Sequence, residues 1–278
     1  MGLEVTKGVT SGDGLIGKSS REEKNSKSQV QLEQLFVRRE EKFFLPLSMK
    51  NDFMDLVAQH LPPSYPDKST KYTLIESQYF DSSDLRSFRD HFENVKERFK
   101  LRTRRYGPNG QWQKGNAIFL ELKLKCNQIS NKLRLKLDPT DLLRLLSGQS
   151  LKKTEKKTKT SEKINTVIKD NHVTPICRVT YRRFAFEREG LRVTIDDKIE
   201  AQFVKNFERR SKKELMQTDW WMDAERMSMS FSNMESALVE VKHSGVVPHW
   251  LQLFMSENGL QFTSFSKYCY SIANQLQK

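Results

Sequence analysis

Cysteine and histidine are scarce in this chain, and long apolar runs are missing. Only Cys126, Cys177 and Cys269 occur among 278 residues. Their odd number and the lack of a C-x-x-C pair argue for a reducing compartment and against a structural zinc site. Five histidines with no H-E-x-x-H leave no histidine-based metal centre to predict. No stretch reads as a transmembrane helix or a signal peptide. Acid is also short relative to base.

That imbalance is the leading compositional signal. There are 48 Lys+Arg against 35 Asp+Glu, a formal net charge of +13, which favours an anionic partner: nucleic acid, polyphosphate, nucleotide or an acidic membrane. Part of the excess is solvated charge. The run LKKTEKKTKTSEK (151–163) reads as an exposed linker, bounded at 150–163 in the domain division. Residues 1–33, polar and rich in Gly and Ser, read as a disordered tail ahead of one domain at 34–278. The tail contains GDGLIGKS (Gly12–Ser19), which fits G-x-x-x-x-G-K-[ST]. A phosphate loop needs a buried strand before it and an amphipathic helix after it. LEVTKGVTS lacks the continuous apolar run of such a strand, and SREEKNSKSQ has no apolar residue before Val30. The start, MGLEVT, fits a loose myristoylation pattern, to which no role is attached.

The rest of the chain has an ordinary core composition, with 36% hydrophobic residues and 17 Phe, and a repeated two-residue period. In FKLRTRRY (99–106), Lys100, Arg102 and Arg104 share a face. In AIFLELKLK (117–125), Glu121, Lys123 and Lys125 oppose Ile118, Leu120, Leu122 and Leu124. LRVTID (191–196) and ALVEVK (237–242) set Arg192, Thr194 and Asp196, and Glu240 and Lys242, against aliphatic partners. Such alternation predicts strands, with others at 36–45, 71–81, 131–137 and 176–187. Helices are predicted at 48–60 behind a Ser48 cap, at 139–147 with Pro139 near its start, at 247–257, and from about 266 onward. The segment 204–232, with Trp220 and Trp221, is read as helical in part.

Arg and Lys dominate the charged face of strand after strand. Laid flat, that face would be a basic plate suited to nucleic acid; closed, it would line a bore. About eight strands enclose an interior of side-chain dimensions or one narrow ligand site. Confined cations cost several kcal/mol each unless compensated. A threaded chain of phosphates compensates them well, since guanidinium forks bind phosphate oxygens in pairs. Glu121 and Glu240 then read either as holders of a divalent cation beside phosphate or as salt-bridge partners of Lys123 and Lys242.

At these residues the chain resembles the VTC domain, the catalytic module of vacuolar transporter chaperone polyphosphate polymerases, within the triphosphate tunnel metalloenzyme (CYTH-like) superfamily. REEKFFL (39–45), YFD (79–81), KLRTRRYG (100–107), FLELKLK (119–125), RVTYRRFAF (178–186), LRVTID (191–196), ALVEVK (237–242) and FSKY (265–268) carry the likeness. It implies an α+β fold: an antiparallel β-barrel tunnel of about eight strands with helices packed outside. The implied reaction moves the γ-phosphate of ATP onto inorganic polyphosphate, assisted by Mn2+ or Mg2+. The implied phosphate ligands are Arg38, Lys42, Arg102, Arg104, Lys123, Tyr181, Arg183, Arg192, Ser266 and Lys267. Glu240 would hold the metal with help from Glu121. Lys100 and Lys125 extend the lining on alternation alone. The triphosphatase branch carries E-x-E-x-K on its first strand, whereas Arg38, Glu40 and Lys42 stand here. The polymerase pattern has a further base before F-S-K, where this chain has Ser264. A triphosphatase and a non-catalytic polyphosphate sensor are the rival readings; nucleic acid is disfavoured by the lack of an RNP, zinc or helix-turn-helix signature. The expected setting is cytoplasmic, at the cytosolic face of a membrane through a membrane-protein partner, with oligomeric state left open.

Overall fold

Strands with one apolar and one charged face need cover on the apolar side only, and that requirement organises the molecule. The computed structural model describes residues 39–65, 69–111, 116–127, 129–152, 158–204 and 235–277. Arg38, the GDGLIGKS and MGLEVT stretches, and Trp220 and Trp221 lie outside the described residues.

Eight strands form one antiparallel sheet: β1 (Arg39–Pro46), β2 (Thr73–Asp81), β3 (Glu97–Pro108), β4 (Ile118–Cys126), β5 (Ile129–Leu137), β6 (Thr174–Arg188), β7 (Leu191–Phe203) and β8 (Ser236–His243). Their order is β1-β8-β7-β6-β2-β3-β4-β5. Six α-helices accompany them among the described residues: α1 (Lys50–His60), α2 (Arg86–Phe92), α3 (Pro139–Leu146), α4 (Lys159–Asp170), α5 (His249–Glu257) and α6 (Lys267–Gln277).

The sheet is strongly curled. Flat, it would hold β1 and β4, six strand intervals apart, at roughly 29 Å. Instead Lys123 of β4 feels the charges of Glu40 and Lys42 on β1 and of Lys242 on β8, so opposite halves of the sheet face each other. The barrel is not fastened by a ladder: among the described residues β1 and β5 do not pair. The segment of chain before α6 attaches to β1, with Thr263 N donating to Lys42 O at 2.7 Å.

The convex face carries two cores. Phe43, Leu45, Val193, Ile195, Val239 and Val241 pack under α1 and α5 through Phe53, Val57, Leu251 and Met255. Phe99, Leu101, Leu120 and Leu122 pack under α3 and α4 through Leu145, Ile164 and Ile168. Each such side chain, fully buried, contributes about 1.5–3 kcal/mol. On the concave side, α6 lays Tyr268, Cys269, Ile272 and Ala273 against Tyr79, Cys177, Val179 and Tyr181.

Some local expectations change. Residues 159–163, expected as linker, open α4: Thr158 and Ser161 form a capping box, and Ile164 and Ile168 are buried one turn apart. Helix α2 is unforeseen; buried Asp81 accepts from Ser87 N and Phe88 N and anchors its start. Ser48 does not cap α1. Leu47–Met49 form a 3-10 turn, and Met49 precedes the helix with no side-chain cap. Strand β7 runs past Asp196 because Lys198, at φ 48°, absorbs an extra residue opposite Tyr181.

Candidate active site

Alternation on the curled sheet sends the charged residues inward, so the basic faces line one shared chamber. Three acid-centred clusters and a few unpaired cations make up its wall.

The first cluster centres on Glu121 of β4, only 2% exposed. Arg102, its register partner on β3, donates from Nε and Nη2 to Oε2 at 3.0 and 2.9 Å, and from Nη1 to Tyr79 Oη at 3.2 Å. Arg104 approaches the same carboxylate at 4.0 Å while donating to Ser77 Oγ and Tyr181 Oη. From β5, Lys132 lies 2.7 Å and Arg134 3.5 Å from Oε1. Burial pushes the Glu121 carboxyl up, but Arg102, Arg104 and Lys132 outweigh it and hold the pKa at about 2. Burial also opposes the Arg102 charge, and Tyr79 and Glu121 overcome it, so its pKa is raised.

The second cluster pairs two carboxylates. Arg183 grips Asp196 through Nε and Nη2, both at 2.6 Å, and reaches Glu240 Oε2 at 3.2 Å. The ammonium of Lys267, in the first turn of α6, lies 2.6 Å from Asp196 and 3.0 Å from Glu240. Tyr181 stacks beneath both cations, 5.4 Å from the guanidinium and 4.8 Å from the ammonium. Burial raises the Glu240 carboxyl, yet Lys267 and Arg183 hold it well below the ordinary range.

The third cluster is Glu40, bridged by Lys42 at 2.9 Å and Lys242 at 3.2 Å. Against burial, these lysines hold Glu40 at about 2, with the nearby Glu240 charge opposing them. Lys42 also donates to Phe265 O at 3.0 Å, and Lys100 donates to Ser266 Oγ at 2.7 Å. Ser266 Oγ in turn accepts from Cys269 N at 3.4 Å, so this hydroxyl caps α6. The positive end of that helix therefore opens into the chamber.

Lys123 has no hydrogen-bond or ion-pair partner among the described residues. Water reaches its side chain in the concavity, yet protein walls it, and burial lowers its pKa, opposed by the Glu40 charge and aided by Lys42 and Lys100. Burial, Arg98 and Lys100 do the same to Lys125. Arg192, at the rim beside Lys242 in register, pairs with Glu187 at 3.7 Å.

The structure thus gathers Lys42, Lys100, Arg102, Arg104, Lys123, Tyr181, Arg183, Arg192, Ser266, Lys267, Glu121 and Glu240 on one concave surface, with Lys125 near its end. It does not bring the two expected metal ligands into one group: Glu121 sits among Arg102, Arg104 and Lys132, and Glu240 among Lys267, Arg183 and Lys42. Among the described residues no three His, Cys, Asp or Glu side chains form a metal cage. The acid that joins Glu240 is Asp196, which sequence alternation places on one face with Arg192 and Thr194. Lys132 and Arg134 join the wall from β5, and the signal for them is the alternation of NKLRLKL, which sets them against Leu133 and Leu135. A divalent cation fits the Asp196–Glu240 pair chemically: hard oxygen donors already converge there on positive charge, supplied by Lys267 and Arg183.

The VTC domain family matches residues 37–275. No curated protein sequence matches the chain. Among solved structures it is similar to a candidate adenylate cyclase from Bacillus halodurans, at 11% identity and a TM-score of 0.46, over 83% of this chain and 92% of that one. It is similar also to the PH1819 protein from Pyrococcus horikoshii, at 12% identity and a TM-score of 0.42, over 86% and 99% of the two chains.

Proposed function

Because the chain belongs to the VTC domain family, we propose that it is a polyphosphate polymerase, moving the γ-phosphoryl group of ATP onto the end of an inorganic polyphosphate chain. The observation that carries this reading is the convergence of Arg102, Arg104, Arg183, Lys123 and Lys267 on one concave wall. Phosphoryl transfer needs positioning and charge stabilisation more than covalent work by the protein. A terminal oxygen of the acceptor polyphosphate attacks the γ-phosphorus, the bond to the β,γ-bridging oxygen breaks, and ADP leaves with that electron pair. Arg102 and Arg104, fixed by Glu121, Tyr79, Ser77 and Tyr181, hold the nucleotide phosphates in line. Arg183 and Lys267 neutralise charge on the transferring group. Lys42, Lys100, Lys123, Lys125, Arg192 and Ser266 hold flanking phosphates of the acceptor. Mn2+ or Mg2+, held by Glu240 and Asp196, would screen neighbouring phosphate oxygens. The first-strand series Arg38, Glu40, Lys42 offers fewer carboxylates than a water-activating site uses, which supports polymerase over triphosphatase. Product would leave toward a membrane-protein partner at the cytosolic face. Among the described residues no helix is long and apolar enough to cross a membrane.

Purified chain given ATP and Mn2+ should build long polyphosphate visible on a gel, and Arg102→Ala should reduce synthesis at least a hundredfold, as loss of a charge-stabilising donor does. Orthophosphate release without polymer would identify a triphosphatase. Tight binding without turnover would identify a sensor.

A further inference from the structure

Beyond Arg104, toward the C-terminal end of β3, the concave face turns from cationic to aromatic. The alternation that presents Arg102 and Arg104 next presents Tyr106. On β4, the residue two before Glu121 is Phe119, opposite Arg104 in register. The Tyr106 and Phe119 rings meet edge to face at 6.3 Å and 67°. Arg134, opposite Glu121 on β5, lays its guanidinium 3.8 Å from the Phe119 centroid and donates to Tyr106 Oη at 3.3 Å. Its side chain stays 42% exposed, leaving the outer face of the guanidinium open.

Neutralising Glu121 does not account for this posture. Arg102 and Lys132 already meet that carboxylate at 2.9 and 2.7 Å, whereas Arg134 stands off at 3.5 Å and is set by the ring instead. A planar cation resting on a ring, with its second face open, matches the way flat nucleobases are held, on aromatic rings and Arg planes. We infer that Phe119 and Arg134 form a nucleobase platform, taking the purine of the incoming nucleotide on the open guanidinium face and marking the mouth through which nucleotide enters. Strand rise places Glu121 roughly 7 Å and Lys123 roughly 13 Å beyond Phe119. A base on the platform therefore sends its triphosphate past Arg102 toward Lys123. The inference rests on the phosphate-handling reading of the chamber.

The test is calorimetric titration with ATP and with tripolyphosphate, in EDTA so that nothing turns over. Wild-type protein should bind ATP more tightly than tripolyphosphate, and purine nucleotides more tightly than pyrimidine ones. Arg134→Lys keeps the charge but removes the stacking plane. It should weaken ATP about tenfold, within the range of one lost base stack, with tripolyphosphate changed less than about twofold. Phe119→Leu, which keeps apolar volume, should act in the same direction, and thermal melts would confirm that both variants fold. Equal losses for both ligands, or none for either, would overturn the platform while leaving the phosphate chamber standing. Wild-type protein that binds neither ligand would overturn the chamber reading and the platform together.

Discussion

At the scale of single residues, the Lys267 ammonium pairs with two carboxylates that Arg183 alone would otherwise serve. Lys267→Met should therefore destabilise the protein by about 3–5 kcal/mol, the usual consequence of removing one partner from a buried charge group, measured by urea denaturation. Added Mn2+ should raise the melting temperature of this variant more than that of wild type, because the vacated carboxylate pair gains a cation that binds only the folded state. Glu121 makes a second prediction. Its folded pKa of about 2 lies below the ordinary carboxylate value of 4.5. Its contribution is fully present above pH 4.5 and disappears as pH falls toward 2, on the order of 3 kcal/mol in total. Glu121→Gln should be less stable than wild type at neutral pH, with the difference shrinking across that window. Arg183 is legible through the family resemblance alone, whereas period-two spacing makes Arg102, Arg104 and Glu240 legible as lining residues. It could not show that Asp196, rather than Glu121, neighbours Glu240, because cross-sheet distance depends on curl and not on spacing within a strand.

At the scale of elements, legibility followed the strength of each local pattern. Strands β3, β4 and β8 declare themselves through unbroken alternation, and α3 through Pro139; the structure adds the cap, Asp138, which accepts from Asp141 N at 2.8 Å. Helix α4 was hidden by composition: its lysines resemble a solvated run, and only Ile164, Val167 and Ile168 betray an apolar stripe. That stripe completes the core over β3 and β4. Ile164→Ala should cost about 2–5 kcal/mol in chemical denaturation, while Lys163→Ala, on the exposed side, should change stability by less than about 0.5 kcal/mol. Helix α2 is too short for periodicity to register. The cue that locates it, Asp81 holding Ser87 N and Phe88 N, is a tertiary contact of a buried carboxylate.

At the scale of the whole molecule, the proposed function places anion recognition on the concave wall and not on the N-terminal glycine motif. Lys18→Ala should accordingly leave ATP and tripolyphosphate affinities unchanged within about twofold in calorimetry, whereas the same change at a working phosphate loop would abolish nucleotide binding. The wall has a further property, rooted in its incomplete closure. A hoop laced edge to edge would have a diameter set by its lacing, but here β1 and β5 stay unlaced and Thr263 supplies a single backbone stitch to Lys42. Undoing one such stitch costs only about 1 kcal/mol. If the concave wall holds a polyanion as proposed, the girth of the molecule should follow what it holds: mutual repulsion among its lysines would spread the hoop when vacant, and a polyanion would cinch it like a drawstring.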